Sequence, residues 1–508
     1  MSGPNKKGFR QSMAWLHTWS GLVVGWVLFA IFVTGTASYY RAEISHWMRP
    51  ELSEPTADPT TAATRAAAYL GRQMPDALAW SVKLPTAENP TAEVYWWNTP
   101  AGPYHHAHLD PATGEASSAR DTKGGDFLYR FHFELSLPPI WGRWIVGTCA
   151  MILLISLISG IVTHRRIFAD FFTFRRDRSA QRGWLDAHNI VGVLALPFHL
   201  MIVYTGLIEL GPMLMPWGVK AAYQHDILAY YDEAGIMAAT RNPAGQPGTL
   251  MPLGEIVARA TAAHGEAPEV VMVTMPGDAA SSVTTFFEEP PGLAHLHPQI
   301  VYAGDTGAEL SRTGDVGAAT RTGAVMIGLH EAHFAAAPLR IVFFLCGLMG
   351  AATIASGLVL WTVARAPKGA DPAGFGLRLV RVLNLGTIAG LPTGLAAYFL
   401  ANRLLPLDLV GRADWEVRAF FAAWILAALA AALYPKAKAW PAALGIAALG
   451  FLAIPVVDAL AVGEARFLGF DAAMLAVSLL LGLGARLAAK RPNGFRAARP
   501  NLSRAVEA

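Results

Sequence analysis

Apolar residues along this chain gather into runs too long for the one-faced helices and alternating strands of a water-soluble core. They lie near residues 13–40, 141–163, 186–210 and 339–363, and again near 382–402, 416–434, 439–460 and 468–487. Each run reaches the roughly 20 residues a helix needs to cross a hydrocarbon core about 30 Å thick, so the spacing predicts eight membrane spans. Pro455, Asp458 and Glu464 interrupt the pattern around the last two. The first run follows Lys6, Lys7 and Arg10, but it is too long for a secretory leader and contains His17, so it reads as a retained helix. Two long polar segments separate the early spans. Each predicts one helix, near 60–73 and 253–265, then alternating strands: AWSVKLP, EVYWWNT and YHHAHLDP in the first, VVMVTMP, VTTFFEE and QIVYAGD in the second.

The expected architecture is a polytopic α-helical membrane protein with two α+β domains. It divides into 1–40 (tail and first span), 41–140 (first α+β domain), 141–210 (second span, loop and third span), 211–338 (second α+β domain), 339–364 (fourth span), 379–487 (four further spans) and 488–508 (tail). Composition agrees: 53% of the 508 residues are hydrophobic, 15% are charged, and mean hydropathy is +0.35. A net charge of +3 and the lack of a basic, aromatic-laced stretch give no case for nucleic-acid binding. Charge matters through its placement. Arg165, Arg166, Arg175, Arg176, Arg178 and Arg182, then Arg365, Lys368, Arg378 and Arg381, then Lys436 and Lys438, then Lys490, Arg491, Arg496 and Arg499 fall in alternate loops and the tail. The positive-inside rule makes these loops and both termini cytoplasmic, so both α+β domains face outward. Cys149 and Cys346 are the two cysteines, both inside apolar runs, which excludes a disulfide framework or a CxxC redox site.

The first four spans read as a duplicated bundle. A shift of 171 residues carries His17 onto His188, Gly21 onto Gly192 and Thr34-Gly35 onto Thr205-Gly206. A shift of 197 carries Arg143 onto Arg340, Cys149 onto Cys346 and Ser159-Gly160 onto Ser356-Gly357, with His132 and His330 matching to within one residue. The polar segments repeat the same helix-then-strands order and turn through Asp110 to Gly114 and Asp305 to Gly307. Copies running the same way through the membrane predict a pseudo-two-fold axis along its normal.

Histidine inside or at the edge of a span is costly unless it ligates, pairs or lines a polar cavity. His17 and His188 lie near the cytoplasmic ends of the first and third spans, each followed four residues later by a glycine that would admit a flat macrocycle. His199 follows His188 by eleven residues, which on a straight helix puts both on one face about 16 Å apart. That arrangement suits two haems, one nearer each surface, each iron taking a second ligand from a neighbouring helix. Symmetry favours His17 with His188, with His164 an alternative partner on the same side. The outer iron is left to two of His199, His132 and His330, with His333 nearby. No histidine follows His333, so the last four spans hold no bis-histidine site. His105, His106 and His108, with His295 and His297, occupy corresponding places in the two α+β domains; a metal site there is weaker than solvated strand histidines.

WLHTWSGL around His17, FHFELSLPPIWGRWIVG around His132, the stretch from His188 to PFH at His199, GLHEAHF at His330, and the domain-ending LDPATGEA and YAGDTGAEL together resemble the PepSY-associated transmembrane family over residues 10–365. The resemblance implies two haem b groups in a four-helix bundle with outward PepSY-like domains, in the bacterial inner membrane. It implies reduction of ferric siderophores in the periplasm with release of Fe(II). No GxGxxG helix opening and no cytoplasmic loop large enough for a flavin or nicotinamide domain is present, so the electron donor is expected to be a cytoplasmic protein or a quinol. Two other readings stand beside it: a siderophore or small-solute permease centred on Pro392, Pro455 and Asp458, and a non-enzymatic PepSY-type regulatory module.

Overall fold

The computed structural model describes residues 8–52, 57–86, 89–99, 105–163, 179–224, 226–366, 374–434, 438–463 and 466–490. Lys6, Lys7, Tyr104, His164, Arg165, Arg166, Arg175, Arg176, Arg178, Lys368, Lys436, Glu464, Arg491, Arg496 and Arg499 lie outside the described residues. Two compact units divide the chain, Met1–Gly357 and Leu358–Ala508.

In the first unit α1 (Phe9–Ser38) leads through α2 (Arg41–Trp47) and α3 (Pro59–Gln73) to β1 (Ala79–Lys83), β2 (Ala92–Trp97) and β3 (His105–Leu109). Then come α4 (Gly124–Glu134) and the long apolar α5 (Pro139–Thr163). The chain continues through α6 (Ala180–Leu194), α7 (Leu196–Glu209), the short α8 (Gly211–Leu214), α9 (Trp217–Tyr223) and α10 (Ile227–Glu233), and α11 (Leu253–His264). Strands β4 (Val270–Thr274), β5 (Ser282–Phe286), β6 (Gln299–Ala303) and β7 (Glu309–Arg312) lead into α12 (Ala318–Glu331) and α13 (Ala337–Ala364), whose end reaches the second unit. That unit holds α14 (Phe375–Ile388), α15 (Gly390–Leu404), α16 (Arg412–Leu433), α17 (Ala439–Val462) and α18 (Leu468–Ala489).

Among the described residues seven helical spans are long and apolar enough to cross a membrane, α14 and α15 counting as one; there are eight if α6 and α7 form one broken span. That break corrects the straight helix expected over 186–210. The two halves meet at Ala195 with a 65° bend. Pro197, at the second position of α7, has no N–H to donate to the preceding turn and its ring crowds that turn's carbonyl. His188 and His199 therefore sit on different axes, and the one-face stacking calculated for a straight helix does not apply.

The strands of the two polar segments also depart from expectation, since they form one sheet rather than two. Its order is β3-β2-β1-β4-β5-β6-β7, antiparallel throughout. The two halves join at β1 and β4, where Ala79 to Lys83 pair with Thr274 to Val270. Val82, Val94, Val271, Val273 and Val283 pack against Ala62, Ala66 and Leu70 of α3 and Ile256, Val257 and Ala260 of α11. Alternating burial on β2 and β4, burial of both faces of β5 and β6, and small residues on α3 explain the fit. Neither β7 nor α2, α8, α9 and α10 is predicted by the sequence pattern; each is too short to show a period.

Asp58 opens α3, its carboxylate accepting from Thr60 N at 2.9 Å and Thr61 N at 3.1 Å. Where α3 meets α11, a Cβ added to Gly254 would lie 2.5 Å from Thr60 O and 2.2 Å from Thr64 Oγ1. Only glycine lets the two helices cross this closely. Gly254→Leu should therefore destabilise the domain by about 1–3 kcal/mol or more, through forced separation of α3 from α11. Asp58→Ala should cost about 1 kcal/mol through the lost cap. Thermal unfolding of the full-length protein, followed by tryptophan fluorescence, checks both.

In the second unit the outstanding feature is a fully buried polar cluster where α15, α16 and α17 meet. Arg403 Nε donates to Asp458 Oδ1 at 2.5 Å, and its NH1 to Asn402 Oδ1 at 2.5 Å. Asn402 Nδ2 donates to Glu416 Oε1 at 2.8 Å, while Arg412 bonds both that carboxylate and the Asn402 carbonyl. Asp458, the acidic residue on which a transport reading of this unit rests, is thus ion-paired with Arg403.

Candidate functional site

Four histidines of the first unit come together in two pairs. The ring centres of His17 and His188 are 6.2 Å apart with planes at 60°, and those of His132 and His330 are 6.1 Å apart with planes at 30°. His17 is on α1 and His188 on α6; His132 and His330 lie near the ends of α4 and α12.

Each ring is fixed in the same way. His17 Nδ1 donates to Ser156 O at 2.8 Å, His188 Nδ1 to Thr353 O at 2.9 Å, His132 Nδ1 to Ile31 O at 2.8 Å and His330 Nδ1 to Ile202 O at 2.9 Å. Those carbonyls belong to helices other than the one carrying the imidazole. Each also takes a hydroxyl: Ser159 Oγ on Ser156 O, Ser356 Oγ on Thr353 O, and Thr34 and Thr205 Oγ1 on Ile31 O and Ile202 O. A carbonyl has two lone pairs, so it serves its own helix and an incoming N–H together. With Nδ1 as donor, the neutral ring carries its lone pair on Nε2, the tautomer a metal-binding histidine needs.

The glycines of the Thr-Gly and Ser-Gly matches make room for these rings. A Cβ on Gly35 would lie 2.4 Å from His132 Nδ1, and one on Gly206 2.7 Å from His330 Cε1. On Gly160 and Gly357 it would lie 3.0 and 3.1 Å from Cε1 of His17 and His188. Gly21 and Gly192, expected beneath a flat ring, face the neighbouring helix instead, where an added Cβ would lie 3.6 Å from Ser156 Oγ and 3.4 Å from Thr353 Cγ2.

His199 stands outside both pairs. It is 97% buried, given a relative exposure of 3%, and its Nε2 has no hydrogen-bond partner among the described residues. The Cys346 carbonyl bonds its ring, and Phe32 and Phe198 pack edge-on at 6.0 and 6.1 Å. Along α13 its neighbours Cys346 and Gly350 precede Thr353 and Gly357, which hold His188; along α7 it precedes Ile202 and Gly206, which hold His330. His199 thus lies at a level between the pairs. His164 is outside the described residues.

The strand histidines are structural on one side of the sheet. His105 stacks on Trp96 at 5.6 Å and His106 on Tyr95 at 6.0 Å. His108 Nε2 accepts from Arg49 NH2 at 2.9 Å, so its lone pair is committed. Burial, then the Arg49 charge, pushes His108 down to about 4. The unfolded chain binds this proton at about pH 6.5 and the folded one does not until about 4, so folding stability should fall as pH drops through that window. The expected loss is on the order of 2 kcal/mol, and His108→Gln should flatten it in unfolding curves taken between pH 7 and 4.

A family model described as the PepSY-associated TM region matches residues 14–364. An uncharacterized protein of Pseudomonas aeruginosa is 29% identical over 355 residues, covering 65% of this chain and 86% of that protein. The family match contains both imidazole pairs, the carbonyls that hold them and the sheet, and the chain belongs to the family of the PepSY-associated TM region.

Proposed function

We propose that this chain is a two-haem membrane reductase that carries electrons across the bacterial inner membrane to ferric siderophores on the outer side. The observation that carries this reading is the pairing of His17 with His188 and of His132 with His330 at ring-centre spacings of 6.2 and 6.1 Å. Two imidazoles that shared one metal ion through Nε2, with about 2.0 Å from metal to nitrogen and about 1.1 Å from nitrogen to ring centre, would have ring centres up to about 6.2 Å apart. The donor set would suit haem b, which His17 and His188 would hold at one level and His132 and His330 at the other. The bound haems supply one-electron chemistry at each level.

The protein's own residues do the rest. Carbonyl acceptors on Nδ1 fix the tautomer and raise the basicity of the ligand nitrogen. Gly35, Gly160, Gly206 and Gly357 keep the rings against neighbouring helices, and Leu28, Val24, Val203 and Leu207 exclude water between the levels. From His17 to Ile31, which holds His132, α1 climbs fourteen residues, about 21 Å. The pairs thus lie toward opposite faces of the membrane.

Sequence pattern and family likeness support the remaining parts of the proposal. The first four spans are two copies of one unit, with strands completing PepSY-like domains on the outer side. Basic loops put both termini in the cytoplasm. A quinol or cytoplasmic protein donates, and Fe(III) in an oxygen-donor chelate gains one electron to become Fe(II), which such hard donors hold less tightly.

Purified protein should show a dithionite-reducible b-type spectrum with two haems per chain. Paired substitutions His17→Ala with His188→Ala, and His132→Ala with His330→Ala, should each remove one, while His199→Ala keeps both. Gly206→Val should deplete the outer haem by pushing His330 away. Adding a ferric oxygen-donor chelate to the reduced protein should reoxidise it. A haem-free preparation from haem-replete cells, or full haem content in both paired variants, would sink the reading.

A further inference from the structure

Beside the outer imidazole pair, the loop between β5 and β6 and the end of α12 bring together two carboxylates and three imidazoles. Ligand atoms of Glu289, His295 and His333 all lie within 4.8 Å of one another. His295 Nδ1 contacts Glu289 and lies 3.2 Å from Glu331 Oε2. His297 Nε2 is 3.3 Å from Glu289 Oε1, and His333 Nε2 is 3.7 Å from Glu331 Oε2. Glu331 is the residue after His330.

The scaffold holding these groups is built. His295 N donates to Ala324 O of α12 at 3.0 Å, and a Cβ on Gly328 would lie 2.0 Å from Leu293 O, so the loop rests directly on the helix. His297 Nδ1 donates to Phe287 O at 2.9 Å. That bond fixes the ring with its Nε2 facing the Glu289 carboxylate, where the two can share a proton or a metal cation.

Comparison of the two copies sharpens the point. Glu134, which maps onto Glu331 under the 197-residue shift, is neutralised by Arg130 at 3.0 Å and Arg143 at 2.7 Å. Arg340, the mate of Arg143, pairs instead with Glu43. Among the described residues neither Glu289 nor Glu331 has an arginine or lysine within ion-pair distance. Two half-buried carboxylates therefore face imidazoles alone, with His333 exposed to solvent as the way in.

We infer that Glu289, His295 and His333 form a binding site for a divalent first-row transition-metal cation, with Glu331 and His297 beside them. Two imidazoles and a carboxylate are the donor set such ions take. Closing from the observed spread to the roughly 3.0–3.5 Å between ligands of a bound ion requires chiefly that the exposed His333 side chain turn inward. On the proposed function, on which this assignment of occupant rests, the ion is the Fe(II) released next to the outer pair.

The test is titration of the full-length protein in detergent with Mn(II), a redox-stable ion of the same charge, read by the loss of the free Mn(II) resonance signal. Wild type should take one Mn(II) per chain. Glu289→Gln and His295→Gln should each weaken binding at least about ten-fold, while His106→Ala leaves it unchanged. Circular dichroism and the haem spectrum establish that the variants are folded. No stoichiometric binding in wild type, unchanged binding in both variants, or loss of binding in His106→Ala overturns the site. Mn(II) bound by a haem-free protein would sink the reductase reading and leave the site standing; a two-haem protein without Mn(II) binding would do the reverse.

Discussion

An imidazole N–H inside a lipid-embedded bundle must find an acceptor, because leaving it unbonded in hydrocarbon costs several kcal/mol. The solution is a further bond to a helix carbonyl already in use: at Ser156, Thr353, Ile31 and Ile202 for the four paired rings, and at Cys346 for His199. The geometry is demanding: a ring can reach a carbonyl across a helix interface only where no Cβ stands in the way. That requirement places Gly160, Gly357, Gly35 and Gly206 at the four contacts and a serine or threonine just before each. Helix spacing, ring orientation and the tautomer of each histidine follow from this single constraint.

The same constraint explains what the sequence makes legible. Span positions follow from apolar length alone, and the Thr-Gly and Ser-Gly matches at fixed shifts mark the ring contacts before any coordinates, although as repeats rather than as contacts. The expected equivalence of His17 with His188, and of His132 with His330, is the pairing that the fold brings into proximity. Legibility ends where geometry depends on one residue's effect on its surroundings. Pro197 reads as tolerable near a helix start, yet it turns one span into two and separates His199 from His188. The seam joining β1 to β4 is equally hidden, because antiparallel pairing between strands nearly two hundred residues apart leaves no local signal.

Beyond the family match, which ends at residue 364, the second unit follows a different economy of charge. It buries two arginines and two carboxylates with Asn402 bridging them, and each charge has an opposite within hydrogen-bond distance. Such a set tends to fix which helices meet more than it adds stability, since desolvation offsets most of the Coulomb attraction. Pro455 and Asp458, read from sequence as interruptions of a span, thus belong to a helix whose charged residue is spoken for. The first unit does the opposite beside His330, leaving Glu289 and Glu331 to imidazoles.

Differences between the two halves of the first unit are therefore as informative as their likenesses. Leu28 fills the place to which the 171-residue shift carries His199, so the level between the pairs is apolar on one side and holds a buried imidazole with an unbonded Nε2 on the other. Arg143 and Arg340 match in sequence but serve different carboxylates. Both departures fall in the half containing α7, α12 and the β5–β6 loop, while the carbonyl bonds that set the imidazole pairs are kept in both. The same bond from Nδ1 to a carbonyl of another helix thus recurs at both imidazole pairs whatever surrounds them. His199 between the pairs, and Glu289 and Glu331 beside His330, therefore give the two imidazole pairs unlike surroundings although their rings are held alike.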